Sequence, residues 1–203
     1  MTIADHPRFA RLLIDVRNAK EICAWRGTVF RCVELRWARP NYLVTGEGTR
    51  RHGSRWMRPA VTEVVHAAST ESLALKESRR NLSYYAIGKP LPAPRASVGM
   101  ELHLRKVLDL RQPERAMPTL ILEELLSEDW RKLNAGGRES LGQAVGRAAW
   151  EAGLEGLLVP SAVDRRSRNL IWFPGSLGTG SGCVVSGRTE LEQWLVDPHA
   201  DLQ

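Results

Sequence analysis

The sequence predicts a mixed α+β fold, and three observations carry that expectation. Apolar residues recur at helical spacing in some windows and at alternate positions, or in short unbroken runs, in others. The two kinds of window follow one another without the regular strand–helix alternation of a doubly wound sheet. The chain has 203 residues, 43% hydrophobic and 26% charged. That is an ordinary globular composition, and the length suits a single domain, 1–203, with a sizeable core.

Taken in order, residues 1–20 read as a leading helix, with Phe9, Leu12, Leu13 and Val16 on one face. TVFRCVEL (28–35) reads as a strand, and the polar, glycine-containing TGEGTRRHGS (45–54) as a loop. VTEVVHAA (61–68) is a second strand. Ser69 and Thr70 then offer helix-capping hydroxyls, and SLALKESRRNL continues as a helix of about three turns. GKPLPAPRASVG (88–99) is a proline-rich loop, too short for a domain linker. LHLRKVLDL (102–110) is strand-like. PTLILEELLSEDWRKL and ESLGQAVGRAAWEA read as two helices, the second stopped by Gly153. LEGLLVP (154–160) and NLIWFP (169–174) are short strands around the charged turn SAVDRRSR. After GSLGTGSG come a strand and a short helix near 189–196.

Composition excludes several classes. Seventeen glycines and 11 prolines are too few for a collagen-like or low-complexity chain. No run of 18 apolar residues is present, so no membrane span is expected. The charged N-terminus lacks the apolar stretch of a signal peptide, and a cytoplasmic location is expected. Cys23, Cys32 and Cys183 are odd in number and far apart, unlike a disulfide framework or a paired-thiolate zinc site. The five histidines (6, 52, 66, 103, 199) show no ligand spacing, so no metal is expected. The glycine-rich run Gly175–Gly182 lacks the Gly-Lys-Ser/Thr of a phosphate loop and reads as a flexible surface loop.

Charge is uneven. Between Arg26 and Arg58 lie eight arginines against Glu34 and Glu47, equal to the chain's whole formal net charge of +6. Arginine's planar fork binds phosphate and carboxylate in pairs of hydrogen bonds, so this window is a candidate anion site. A solvated basic face, a partner's acids or nucleic acid are the competing readings. For nucleic acid, the stacking aromatics interleaved with the arginines are limited to Trp25, Trp37, Tyr42 and Trp56.

Four blocks in register are specific: VFRCVELR (29–36), GEGTRRHGSRW (46–56), VVHAASTESLALKE (64–77) and GQAVGRAAWEAGLEGLLVPSAVDRRSRNLIWFP (142–174). Together they resemble the RES family of bacterial toxins, over roughly residues 22–175. The resemblance implies a fold like that of diphtheria-toxin-type ADP-ribosyltransferases. It also implies cleavage of the nicotinamide–ribose bond of NAD, with ADP-ribose passed to phosphate, water or a protein, and no cofactor beyond NAD as substrate. An Xre-type antitoxin is the implied partner, and nucleic acid enters only through it. The family's Arg, Glu and Ser fall on Arg31, Glu77 and Ser161, and its usual strand-end Tyr on His66. Gly53, Ser54, Arg55, Trp56 and Asn169 join Arg31 and His66 as implied NAD-binding positions.

The residues read the same way on chemical grounds. An N-glycosidic bond that expels nicotinamide passes through an oxocarbenium-like state, which a nearby carboxylate stabilises. Glu77 lies on a helix entered directly from the strand end that carries His66. Each residue also has a plainer reading. Glu77 can pair with Arg79 or Arg80 on a helix surface, and Ser161 can order the turn after Pro160. Arg31 can hold a structural salt bridge, and His66 can be a satisfied strand-end side chain. Two rival functions stand beside NAD phosphorolysis or hydrolysis: ADP-ribosylation of a protein target, and a non-catalytic basic binding module.

Overall fold

The structure is a computed structural model that describes residues 2–85 and 94–196. Its elements run α1 (Phe9–Arg17), β1 (Ile22–Glu34), α2 (Pro40–Thr45), α3 (Glu47–His52), β2 (Val65–Ala68), α4 (Glu71–Tyr85) and β3 (Arg95–Asp109). Then follow α5 (Pro113–Ala116), α6 (Leu122–Ser127), α7 (Trp130–Ala135), α8 (Leu141–Glu151), β4 (Gly156–Pro160), β5 (Arg168–Trp172), β6 (Gly182–Val185) and α9 (Arg188–Val196). Helices and strands share one chain in irregular order, the mixed α+β class that the sequence predicts.

The sheet closes on itself. β1 and β3 form a long antiparallel pair, from Ile22 opposite Leu108 to Glu34 opposite Arg95, with a bulge between Cys23 and Trp25. On its other edge β1 meets β2, β2 pairs with β5, and β5 with β4. β4 returns to β3 as a parallel neighbour through Val107–Asp109. β6 takes the adjoining stretch of the same β3 edge, Met100–His103. One buried cluster draws Val29, Val65, Leu102, Leu158, Leu170 and Val185 from all six strands, as the inside of a closed sheet does. The alternate residues Leu157, Val159 and Ile171 face outward instead, into a second cluster with Leu12 and Val16 of α1 and Val145 and Ala148 of α8.

Helix α8 is the best-specified element. Ser140 accepts from the Gln143 N–H while the Gln143 side chain accepts from the Ser140 N–H, a reciprocal cap. Beside it, Glu139, 3% exposed, takes Arg147 through two hydrogen bonds of 2.9 and 2.8 Å. The His6 N–H and the Arg58 guanidinium reach the same carboxylate at 2.9 and 3.6 Å, tying the N-terminal segment to the core.

Five sequence expectations shift. In the 45–54 stretch Thr45 ends α2, and only Gly46 and residues 53–54 lie outside helices. Its middle is α3, closed by an Arg51–Glu47 pair at 2.7 Å four residues apart. The 61–68 strand shortens to Val65–Ala68, because Val64 packs its backbone against Gly46 instead of a strand. A Cβ on Gly46 would lie 2.7 Å from Val64 backbone atoms. The helix expected over 118–133 is two, since Glu128 is extended and Asp129 caps α7 by accepting from the Arg131 and Lys132 N–H groups. Residues 95–99 belong to β3, while 88–93 of the expected proline-rich loop lie outside the described residues. The glycine-rich segment is tied down, because buried Glu155 accepts from the Gly178 N–H at 3.0 Å and the Ser181 hydroxyl at 2.8 Å. Burial pushes the Glu155 pKa up, but these bonds and those from Arg105 and Lys106 outweigh it and hold the carboxyl below its usual range.

Candidate active site

β1 and β2 share one residue pair, Phe30 with Ala68. Beside it lies a cavity of about 720 Å³, lined by Phe30–Val33 of β1, His66–Ala68 of β2, one face of α4, residues 52–56 and the α6–α7 junction. That volume is in the range of small-molecule and cofactor sites.

Glu77 reaches this cavity from α4. Thr70 starts the helix by accepting the Leu73 N–H at 3.2 Å, and Leu73 and Ala74 anchor it on Ala68. The Ser161 hydroxyl accepts from the Val163 and Asp164 N–H groups at 3.0 and 3.3 Å, so its single proton is left for Glu77 Oε1, at 2.6 Å. Asn169 Nδ2 donates to the same oxygen at 2.9 Å. Both donors are neutral, and among the described residues no hydrogen bond reaches Oε2. Ser161 is fully buried, so it orders the turn and orients Glu77 at once. Asn169 lines the cavity on β5, opposite Ala68, and acts on Glu77 as well.

Arg31 and His66 lie together. Arg31 Nη1 donates to the Leu43 carbonyl of α2, and burial lowers its pKa to about 10, which leaves it charged at neutral pH. Burial pushes the His66 imidazole down to about 3, and the Arg31 charge adds to this, so the ring is neutral. His66 Nε2 is buried without a hydrogen-bond partner. Cys183, near Arg31, is raised by burial to about 11 and is a neutral thiol.

The Gly53–Trp56 segment is held by α8. A Cβ on Gly142 would lie 2.7 Å from the Arg55 carbonyl oxygen, and one on Gly146 1.7 Å from that of Trp56. Only glycine allows this approach, and Gln143 Nε2 adds a bond to the Ser54 carbonyl at 2.8 Å. Gly53 has φ +72°, and a Cβ there would meet Pro59 at 2.8 Å. Trp56 shows the cavity little more than an edge, since it is 3% exposed and packs in the core with α8. The Arg55 guanidinium crosses to the end of α6, where Nη1 donates to the Leu126 and Glu128 carbonyls at 3.1 and 3.3 Å. Burial lowers its pKa, and the charges it feels are those of Arg80, Glu77, Arg131 and Asp129.

The arginine-rich window divides. Arg31 and Arg55 line the cavity, whereas Arg36, Arg50, Arg51 and Arg58 pair with Glu34, Glu63, Glu47 and Asp5. Folding supplies three further cavity arginines from outside the window, Arg80, Arg95 and Arg131. A linear charge count cannot see which acids the fold brings to each arginine. The two glycines of α8 also escaped the sequence reading, although small residues four apart on a helix were the available signal. Among the described residues, no three His, Cys, Asp or Glu side chains are grouped as metal ligands.

This arrangement has known counterparts. The RES domain family model matches residues 28–194. The NAD(+) phosphorylases MbcT of Mycobacterium bovis and Mycobacterium tuberculosis are 30% identical over 152 residues, 73% of this chain and of each relative. In solved structures, the fold is similar to that in the crystal structure of the M. tuberculosis MbcT–MbcA toxin–antitoxin complex. That match has a TM-score of 0.62 and 21% identity, and covers 93% of this chain and 99% of that one. The chain therefore belongs to the RES domain family.

Proposed function

We propose that this chain is a toxin that cleaves the nicotinamide–ribose bond of NAD and transfers ADP-ribose to phosphate. One observation carries the reading: a carboxylate held through one oxygen by two neutral donors, beside a cavity lined by five arginines. The kinship with proteins named NAD(+) phosphorylase supplies the acceptor. The likeness to ADP-ribosyltransferases of the diphtheria-toxin type belongs to the same proposal.

Cleavage breaks the C1′–N bond, and its electron pair returns to the pyridinium, so nicotinamide leaves as a neutral molecule without a general acid. Positive charge grows on C1′ and O4′ of the ribose. Glu77 Oε2 stabilises it, while Ser161 and Asn169 fix the carboxylate without neutralising it. A phosphate oxygen then forms the new C1′–O bond. Neutral His66 packs against the nicotinamide ribose without adding a like charge to the forming cation. Arg55, with Arg80 and Arg131 close enough for their charges to be felt, holds the diphosphate, and Arg31 sits at the His66 end.

A chain that destroys NAD endangers its own cell, so a neutralising antitoxin, of the Xre type that the motifs imply, is the expected partner. The test is to incubate purified protein with NAD, with and without phosphate, and identify the products by mass spectrometry. Nicotinamide and ADP-ribose phosphate are expected, the latter only when phosphate is present. ADP-ribose in equal amount under both conditions would make the chain a hydrolase, and intact NAD would remove the proposal.

A further inference from the structure

Buried polar atoms without partners concentrate at the cavity. Among the described residues six buried side-chain nitrogens or oxygens make no hydrogen bond, and four of them belong to residues that line it. Folded proteins pair nearly all such atoms, so this cluster marks where a ligand's atoms bond. His66 Nε2 and Asn169 Oδ1 belong with Glu77 and the ribose. Ser78 Oγ and Arg95 Nε take no part in that chemistry.

Both residues are brought to the β1 face beneath α4. Strand register puts Arg95 opposite Glu34, two residues beyond Cys32 on the same face of β1. Cys32 packs against the cluster of Ala68, Leu73 and Ala74, so α4 covers this face. Ser78 lies one helical turn beyond Ala74 and is 6% exposed, and Arg95 Nη2 donates to the Cys32 carbonyl at 3.3 Å. Ser78, Cys32 and Arg95 all line the cavity. Arg95 is a weakly answered cation, because Arg36 holds Glu34 at 2.6 Å while Arg95 lies 3.9 Å from it. A guanidinium and a serine hydroxyl are donors that proteins use to bind phosphate oxygens.

We propose that Arg95 and Ser78 hold the acceptor phosphate beside Glu77, which precedes Ser78 on α4. The Ser78 hydroxyl has no bond to give up when phosphate arrives, and Arg95 offsets the charge that phosphate brings near Glu77. The dianion supplies the electron pair of the new C1′–O bond as the C1′–N pair leaves with nicotinamide. The assignment rests on the phosphate-transfer reading above and adds the acceptor's own site to it. A phosphoryl group of NAD has the same chemistry, and the response of the two KM values separates the sources.

Two readouts test it, one of them independent of turnover. The first is titration calorimetry of the full chain with inorganic phosphate, without NAD and at fixed ionic strength, for the wild type, Arg95→Gln and Ser78→Ala. The wild type should bind phosphate, and each variant should bind it about tenfold or more weakly, as on losing a hydrogen bond to a charged group. Ser78→Ala carries a second signature. Its hydroxyl makes no bond in the free protein, so the melting temperature should stay equal or rise, whereas loss of a structural serine would lower it. The second readout is steady-state NAD cleavage, in which KM for phosphate should rise by a similar factor while KM for NAD is unchanged. Wild-type phosphate affinity in both variants would overturn the subsite and leave NAD cleavage standing. A raised KM for NAD with KM for phosphate unchanged would give these residues to the dinucleotide and overturn the assignment. A wild type that binds phosphate through Arg95 and Ser78 but leaves NAD intact would overturn the reaction and leave the anion site standing.

Discussion

Two glutamates within the same fold show what separates architecture from chemistry. Glu139 is buried beside α8, and both its oxygens are occupied: one by Arg147 Nε and the Arg58 guanidinium, the other by Arg147 Nη2 and the His6 N–H. Its charge is neutralised and its bonding capacity filled. Glu77 is partly buried and takes two hydrogen bonds on one oxygen, from Ser161 and Asn169, neither of which carries charge. The first arrangement leaves nothing for a ligand. The second fixes an anion in orientation and keeps its charge for whatever enters the cavity.

That difference can be broken from either side. Glu139→Ala should have the largest effect on stability, roughly 3–5 kcal/mol, because it strands the buried Arg147 guanidinium. Thermal or urea unfolding reads that loss, while NAD cleavage per folded molecule stays at the wild-type level. Gly146→Ala should cost about 1–3 kcal/mol by the same measurement, since the new methyl must displace the Trp56 carbonyl. By moving the Arg55 segment it should also raise KM for NAD.

Ser161→Ala sharpens the other side. It removes the hydroxyl that orients Glu77, and kcat should fall about tenfold, in line with the loss of one hydrogen bond to a charged group. Asn169 retains its bond, so the loss is partial.

A pH-dependent effect concerns His66. Folding holds its pKa near 3, against an ordinary value of 6.5, so the unfolded chain takes up the proton first. Its contribution is fully present above about pH 6.5 and is lost as pH falls from there toward 3. Wild type should therefore lose stability between pH 6.5 and 4.5 more steeply than His66→Tyr, which does not titrate there, with an extra slope of up to about 1.4 kcal/mol per pH unit. Unfolding midpoints across that range check it, and the NAD-cleavage profile should show no step near 6.5 from this residue.

The sequence made the site more legible than the framework around it. Arg31, His66, Glu77, Ser161 and Asn169 lie far apart in the chain, yet the fold brings all five to one region around Glu77 and the cavity. They were singled out by the resemblance of four blocks in register to the RES family, since each residue taken alone also has a plainer local reading. Closure of the sheet was not legible. It depends on β1 pairing along its length with β3, some 70 residues away, and no local pattern encodes that partner. The arginine window was legible only in part for the same reason: Arg31 and Arg55 line the cavity, but Glu63 and Asp5 become partners of Arg50 and Arg58 only after folding. The break at Glu128 was hidden inside a good helical pattern, although Asp129 is a capping residue in plain view.

The most direct measurement compares NAD consumption, in the presence of phosphate, by wild-type and Glu77→Gln protein of matched melting temperature. Glutamine keeps the oxygen that Ser161 and Asn169 hold and removes only the charge. The account predicts a rate lower by about 10²–10³, the loss typical of a single transition-state contact, with the fold intact. NAD turnover at the wild-type rate by folded Glu77→Gln protein would contradict it.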